Sequence, residues 1–575
     1  MVALHEPLTP EVRSALNEHD ELVAGLLARR GITTKEAAEA FLSPSYDAHV
    51  HDPFLMKNMR KAVERIVRAI DAKENIVVWS DYDCDGIPGG VILHDFLQKA
   101  GARFQNYIPN RNEEGFGVNV LGIEKLARQG TQVLITVDCG ITDTEAIQRA
   151  QTHGIDVIVT DHHTVPETPP PAFAIIDPKQ DGETYPFKEL CGAGLAFKLV
   201  CGVLAYARER GDAWGIPLGW EKWLLDMAGL ATIADMVPLI GENRVLAKYG
   251  LLVMRKSPRV GLQKLCAVAR VNQRYITEDD VAFMLAPRIN AASRMGDPKD
   301  AFNLFTTSDE SLADSLAKGL EKANRSRRSA AGAITRAVNE RVEERKQQGT
   351  LPPVLVFGDP LWRPSLLGLV ANAVAETYER PVFLWGREGG TVLKGSCRSG
   401  THGVSVVDLM ETAQDAFIQF GGHHVSGGFS VKDDQVFTLE ERLVDAFHAI
   451  DTQAHTEDVV KADALLSLSE ATTELLQTLS RLAPFGVGNE RPVFGFNHLT
   501  LSRMSWFGKG EEHIKLTLTS DGFDALEAVA FYARRELGSS ITKLSRGARV
   551  HVLGSLERDQ FSKGRPVRLR LLSVK

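Results

Sequence analysis

The chain has 575 residues, 44% hydrophobic and 24% charged, and a formal net charge of −8. That length is too great for one core and sets three or four domains as the expectation; the acid excess argues against a protein that coats nucleic acid through overall charge, while leaving room for a locally basic groove. Six cysteines (Cys84, Cys139, Cys191, Cys201, Cys266, Cys397) form no CxxC pair, so neither a disulfide framework nor a thiolate zinc site is indicated. The start, Met1 to Glu6, carries no basic segment leading into an apolar one, and no apolar run is long enough to cross a bilayer; a cytoplasmic protein with no membrane partner is expected.

Up to about Pro44 the pattern is of small helices: Pro10 to His19, Asp20 to Arg29, and a third opened by Thr34-Lys-Glu-Ala37. No chemistry is visible there. Asn58 to Ala72 is a helix with apolar residues at Met59, Ala62, Val63, Ile66, Val67 and Ile70. Next comes an apolar strand, Ile76 to Trp79, that runs into Asp81-Tyr-Asp83-Cys-Asp85-Gly86. In an extended chain the three acids would point to one side, where they repel unless a cation neutralises them. A solvated acidic turn is the bland alternative. A calcium loop of the EF-hand type is excluded, because its twelfth position is Ile92 rather than Glu and no helix precedes it.

Pro88 fits the first turn of a helix that Gly101 stops. The grammar then repeats: strand Arg103 to Ile108, helix Val120 to Gln129, strand Gln132 to Val137 ending at Asp138, a capping box Thr142-Asp-Thr-Glu145 opening a helix, and strand Ile155 to Thr160 ending in Asp161-His162-His163. Alternating strands and helices imply an α/β fold with a doubly wound parallel sheet, whose ligands lie beyond the carboxyl ends of the strands. Helix Trp220 to Ala234 runs into Asp235, where an unpaired charge would be costly. The plain alternative there is a helix-end carboxylate bonded to backbone N–H groups.

Thr307 to Gln348 reads as one polar helix of ~40 residues and ~60 Å. A second, smaller α/β unit follows, with strands Val354 to Phe357 and Pro381 to Trp385 around helix Leu366 to Glu379. Its loop Lys394 to Ser399 offers hydroxyls and a guanidinium suited to phosphate, with a solvated turn as the alternative; its loop Gly421 to Gly428 needs glycines because backbone or ligand comes close. From about Asp451 the alternation in His513 to Thr519 and Val567 to Leu571 predicts a β-barrel. As an OB-like fold it would offer Trp506, Phe507, Lys509, Lys515, Arg568 and Arg570 to a single strand, unless that face is simply wet. The expected divisions are 1–50 (helical), 51–260 (catalytic), 261–350 (helical connector), 351–450 (substrate-binding) and 451–575 (barrel).

The strand ends and the end of the helix at Asp235 supply Asp83, Asp85, Asp138, His162 and Asp235, with Asp81, Asp161 and His163 beside them. Hard oxygens with one or two imidazoles suit Mn²⁺ or Mg²⁺. So many acids could hold two ions, ~3.5–4 Å apart, which is a device for phosphodiester or pyrophosphate hydrolysis.

Asp81-Tyr-Asp-Cys-Asp-Gly86, Thr136-Val-Asp-Cys-Gly140, Asp161-His-His163 and Ala234-Asp-Met-Val-Pro238 resemble, in that order, the four motifs of the DHH phosphoesterase superfamily. Ile108-Pro-Asn-Arg111, Ala286-Pro-Arg-Ile-Asn290, Lys394-Gly-Ser-Cys-Arg-Ser399, Gly421-Gly-His423 and Pro484-Phe-Gly-Val-Gly-Asn489 extend the likeness, from about residue 50 to the C-terminus, to the RecJ family of single-strand-specific DNA exonucleases with DHH, DHHA1 and OB domains. The resemblance implies a 5′-to-3′ exonuclease that releases 5′-mononucleotides from single-stranded DNA in recombination and repair, acting as a monomer with a single-strand-binding protein and a helicase as partners. It implies that Asp83, Asp85, Asp138, His162 and Asp235 bind metal, with Asp138 as the bridge and Asp81 and Asp161 in or near that shell, and that His163 lies by the scissile phosphate. It implies further that Arg111, Arg288, Asn290, Ser396 and Arg398 hold substrate phosphates, with His423 facing the same cleft between two domains.

Three departures fall outside the proposed ligands: Pro88-Gly89-Gly90 replaces a usual Ser or Thr, Trp362-Arg-Pro-Ser365 replaces Trp-His-Pro-Gly, and Ala292-Ser-Arg294 replaces Ala-Gly-Arg. They bear on substrate contacts. The rival readings are a superfamily phosphodiesterase for cyclic dinucleotides or short oligonucleotides, which generally lacks the barrel, and a non-catalytic DNA-binding relative, which would have lost the acids. An aspartyl-phosphate phosphatase does not account for Asp161-His-His163.

Overall fold

The computed structural model describes residues 4–111, 114–388, 390–400, 403–450, 461–508, 510–520, 523–538, 541, 544–559 and 566–575. Its first sheet is built from β1 (Ile76–Ser80), β2 (Phe104–Tyr107), β3 (Val133–Val137), β4 (Asp156–Thr160) and β5 (Ala174–Ile176), all parallel, in the order β2-β1-β3-β4-β5. The two-residue period of an extended chain divides its side chains cleanly. Val78, Ile135 and Ile158 pack with helices Met59–Asp71, Gly86–Lys99 and Gly192–Glu209 on one face, while Val77, Trp79, Leu134 and Val157 pack with helices Val120–Arg128 and Thr144–Thr152 on the other. Both faces are covered, as the near-continuous apolar strands required. The chain reverses direction across the sheet between β1 and β3, and that reversal opens a crevice at the carboxyl ends of those two strands.

The second sheet comprises β6 (Leu355–Gly358), β7 (Val382–Gly386), β8 (Leu393–Arg398), β9 (Phe417–His423) and β10 (Ser426–Val431), in the order β6-β7-β8-β10-β9. Two stretches expected as loops are strands. Lys394 to Arg398 lies in β8, and Gly421 to Gly428 forms a β9–β10 hairpin in which Gly422 faces Gly427. A Cβ on Gly422 would lie 2.5 Å from the Gly427 Cα, so it is the neighbouring backbone that demands glycine. Polar residues in a strand and glycines in a hairpin mimic loop composition, which hid both elements.

The third sheet contains β11 (Ala464–Leu465), β12 (Phe494–Phe507), β13 (His513–Ser520), β14 (Phe523–Ala530), β15 (Arg549–Arg558) and β16 (Val567–Val574). β12 pairs with both β13 and β15, closing five strands into a barrel, with β11 added alongside β12. The N-terminal helices are part of its packing: Leu16, Val23, Leu26, Leu27, Phe41 and Leu42 share one core with Phe494, Phe496, Leu516 and Leu569. Arg29 pairs with Asp463 at 2.6 Å, and Arg30 donates to Asn489 Oδ1 at 2.6 Å.

Helix Glu310–Gln347 has 38 residues, ~57 Å at 1.5 Å per residue, and the chain's two compact units divide within it near Glu321. One unit holds the parallel sheet, the N-terminal helices and the barrel; the other holds the β6–β10 sheet. All six cysteines are free, and no described helix is long and apolar enough to cross a membrane.

Candidate metal centre and active site

The acids after β1 do not converge as an extended chain would bring them together. β1 stops at Ser80, and the chain turns so that Asp83 Oδ1 accepts the N–H groups of Asp85 (2.8 Å) and Gly86 (3.2 Å), capping the helix that begins at Gly86. A Cβ at Gly86 would lie 2.5 Å from the Asp81 carbonyl oxygen, so this turn admits only glycine there. Asp85 then spends both oxygens on a second helix start, accepting from Gly192 N–H at 2.6 Å and Ala193 N–H at 2.7 Å. Its charge is thereby held at a helix N-terminus. A Cβ on Gly192 would lie 2.5 Å from the Asp138 Cβ.

Asp138 follows β3 in the left-handed region, φ 61°, an uncommon setting for a non-glycine residue that points its carboxylate into the crevice. Around it the side chains group in threes whose donor atoms all lie within 4.8 Å: Asp81, Asp83 and Asp138; Asp85, His162 and Asp235; Asp138, His162 and His163. His162 Nε2 lies 3.2 Å from Asp138 Oδ1, 3.6 Å from Asp85 Oδ2 and 3.8 Å from Asp235 Oδ2. Asp81 Oδ1 and Asp138 Oδ1 are buried and accept no hydrogen bond. Buried carboxylate oxygens without donors are costly unless a cation meets them, so this donor set fits a hard dication with an imidazole in its shell.

The electrostatics agree. Burial and the neighbouring carboxylates push Asp81 and Asp138 well above the ordinary range, Asp85 up to about 6 and Asp235 up to about 9. Burial, with His163 and Lys179 nearby, lowers His162 to about 3 and keeps it neutral with a lone pair to offer. His163 differs: burial alone would lower it, but its Nδ1 lies 2.7 Å from Asp161 Oδ1, and that carboxylate raises it overall. The two adjacent histidines are thus shifted in opposite directions.

Asp161 is tied to the loop that carries the two histidines. Its oxygens accept the backbone N–H groups of His162 (2.8 Å), His163 (3.2 Å) and Ile141 (3.0 Å) as well as the His163 ring, and it joins none of the three donor groups. It orients His163. The expected capping box at Thr142 is also displaced: the helix starts at Thr144 behind Asp143, whose carboxylate accepts the Val118 N–H at 2.6 Å instead of capping.

The expected phosphate contacts fall in both units. Arg111 lies over the Tyr82 ring at 5.0 Å in the first. Arg288 is buried, donating to Glu321 at 2.7 Å and to the Met284 carbonyl at 2.5 Å, and Asn290 Oδ1 accepts the Cys84 N–H at 2.9 Å. In the second unit Ser396 and Arg398 alternate on β8 beside Gly368, while His423 is exposed on β9 and shares Ser426 as a register partner with Arg398. Arg398 forms no ion pair among the described residues; its Nη1 donates to the Cys397 carbonyl at 2.7 Å. On the barrel, Lys515 pairs with Glu527 at 3.1 Å and Arg568 with Glu557 at 2.6 Å, so two of the expected basic groups are neutralised internally; Lys509 lies outside the described residues.

Sequence reasoning missed Asp177, fully buried just beyond β5 and pushed by burial up to about 7, and Lys179, whose amine donates to the His162 carbonyl at 2.6 Å. The strand-end rule applied to Ala174-Ile-Ile-Asp177 would have found the first. It also missed Phe116, half exposed between Gly115 and Gly117 with its ring 5.7 Å from that of His163.

Three stretches match known domains: residues 75–231 the DHH family N-terminal domain, 352–456 the DHHA1 domain and 462–573 the RecJ OB domain. The single-stranded-DNA-specific exonuclease RecJ of Dickeya dadantii is 31% identical over 522 residues, 89% of each chain. The chain belongs to the RecJ family. The RecJ of Bacillus subtilis is 33% identical over 542 residues, 94% of this chain and 66% of that relative, so the chain spans about two thirds of its length. A crystal structure of RecJ from Thermus thermophilus in complex with Mn²⁺ superposes with a TM-score of 0.80 at 27% identity, covering 100% of this chain and 78% of that one. A second RecJ structure, bound to manganese, is 33% identical with a TM-score of 0.60, covering 69% of this chain and 96% of that one. The sheet, hairpin and barrel described above are therefore the RecJ family fold.

Proposed function

We propose that this chain is a metal-dependent exonuclease that removes 5′-mononucleotides from the 5′ end of single-stranded DNA, in recombination and repair, in the cytoplasm. The observation that carries the reading is the grouping of Asp81, Asp83, Asp85, Asp138, His162, His163 and Asp235 into three overlapping triplets whose donor atoms lie within 4.8 Å of one another, with buried carboxylate oxygens lacking donors. Family membership supplies the substrate class, and the relatives crystallised with Mn²⁺ and Mg²⁺ support those ions.

In this reading Asp81, Asp83, Asp85, Asp138, His162 and Asp235 would hold two dications in the crevice. Bound there, they would supply a water of lowered pKa and neutralise charge on the scissile phosphate. The protein's own groups do the rest. Asp161 holds the proton of His163 on Nδ1 and so orients the ring. As an imidazolium His163 offsets charge developing on the phosphate oxygens. Arg111 and Arg398 each present a guanidinium to backbone phosphates, with Ser396 beside Arg398.

End-labelled single strands and duplexes, digested with Mn²⁺, Mg²⁺ or chelator, test the reading. Release of labelled mononucleotide from the 5′ end of single strands, abolished by chelator, is expected; release from the 3′ end, or equal attack on duplex, contradicts it. Arg398→Ala is expected to raise KM for 5′-phosphorylated strands by ~10–100-fold, the cost of a charge-assisted contact. Mn²⁺ affinity measured without DNA should stay unchanged, and equal losses in both would remove Arg398 from the substrate side.

A further inference from the structure

The geometry points to Asn290 as a positioning residue that locks the metal-binding loop, in place of the phosphate contact its motif implies; we propose that it acts through the Cys84 N–H, and this rests on the metal site proposed above. Cys84 stands between Asp83 and Asp85, and its N–H is turned away from the hydrogen bonds that order its neighbours: the Asp85 and Gly86 N–H groups go to Asp83 Oδ1, and the Ile87 N–H goes to the Asp83 carbonyl. The Cys84 N–H instead donates to Asn290 Oδ1, more than two hundred positions along the chain, at 2.9 Å. Because a backbone N–H can only donate, the Asn290 atom facing it must be the carbonyl oxygen.

That acceptor is held in place. Asn290 lies on helix Ala286–Met295, which continues from a π-helical turn at Asp280–Leu285. A π turn shifts the phase of the helix that follows it, and such turns recur where a side chain has to be re-aimed. Rotation of the helix is fixed two residues earlier by Arg288, whose guanidinium is tied to Glu321 and to the Met284 carbonyl. Asn290 is thus a rigid external support for a loop that carries carboxylates on both sides of the amide it anchors. Such supports govern metal affinity although they never touch the metal.

The test uses the full-length protein without DNA and reads Mn²⁺ affinity by calorimetry and alkylation of Cys84 by mass spectrometry, with buried Cys397 in the other unit as internal control. Asn290→Ala is expected to weaken Mn²⁺ binding ~10–100-fold and to expose Cys84 to alkylation while Cys397 stays protected. Asn290→Asp retains an acceptor oxygen, so it should keep Cys84 protected. If Asn290→Ala binds Mn²⁺ as the wild type does, keeps Cys84 protected and only raises KM for the strand, the residue is a phosphate contact and the inference is wrong. Loss of protection at Cys397 as well would mean general unfolding; in that event exposure of Cys84 in Asn290→Asp overturns the inference and its protection upholds it. A wild type that binds no Mn²⁺ would sink the proposed function instead, while Cys84 alkylation would still decide the role of Asn290.

Discussion

Asp138→Asn is expected to lower nucleotide release by ~10³-fold or more, because the carboxylate common to two of the three donor groups no longer brings a charge to the dications. The same substitution should raise the melting temperature of the metal-free protein. In that state Asp138 is a buried carboxylate, crowded by Asp85, Asp83 and Asp81, with one oxygen lacking any donor. At neutral pH such a group must either hold a proton it would lose in the unfolded chain or be ionised among like charges, and replacing it relieves a cost of ~1–3 kcal/mol. Asparagine is the informative replacement, since at φ 61° it tolerates the left-handed backbone better than alanine, whose added strain would mask the gain. Mn²⁺, which should stabilise the wild type strongly, should stabilise the variant far less. A variant with wild-type turnover, or a metal-free variant that melts earlier, would remove Asp138 from the centre of the site.

How much of this was legible in the sequence depends on the range of the forces involved. The parallel sheet was legible because β1, β3 and β4 are buried on both faces and therefore read as unbroken apolar runs, each ending in an acid. The barrel was legible where Ile514, Leu516 and Leu518 alternate with polar residues. What failed was local geometry decided by distant partners. Extended alternation for Asp81, Asp83 and Asp85 lost to helix capping by Asp83. Lys515 and Arg568 looked like a basic face, but their carboxylate partners sit on adjacent strands. The N-terminal helices showed nothing in their own pattern of the barrel, hundreds of residues away, whose core they complete.

Protons should leave the site when metal enters it. In the metal-free protein at neutral pH Asp235, at about 9, is protonated and Asp85, at about 6, is so in small part, with Asp81 and Asp138 shifted in the same direction by burial, whereas in the unfolded chain these acids would be ionised above about 4. Between those values the folded state binds more protons than the unfolded one, so with respect to these groups the stability of the metal-free protein is greatest at and below about pH 4 and falls as pH rises towards 9. Metal reverses that slope, because it binds the ionised carboxylates and favours the fold in proportion to its affinity. Calorimetric titrations of Mn²⁺ at pH 7 in buffers of different ionisation enthalpy should therefore report net proton release, and affinity should rise with pH from 6 to 8. Melting curves with chelator should move down over the same interval while those with Mn²⁺ do not. Zero proton release would mean that the acids are already ionised in the metal-free protein, and burial among like charges would then no longer explain why the crevice needs a cation.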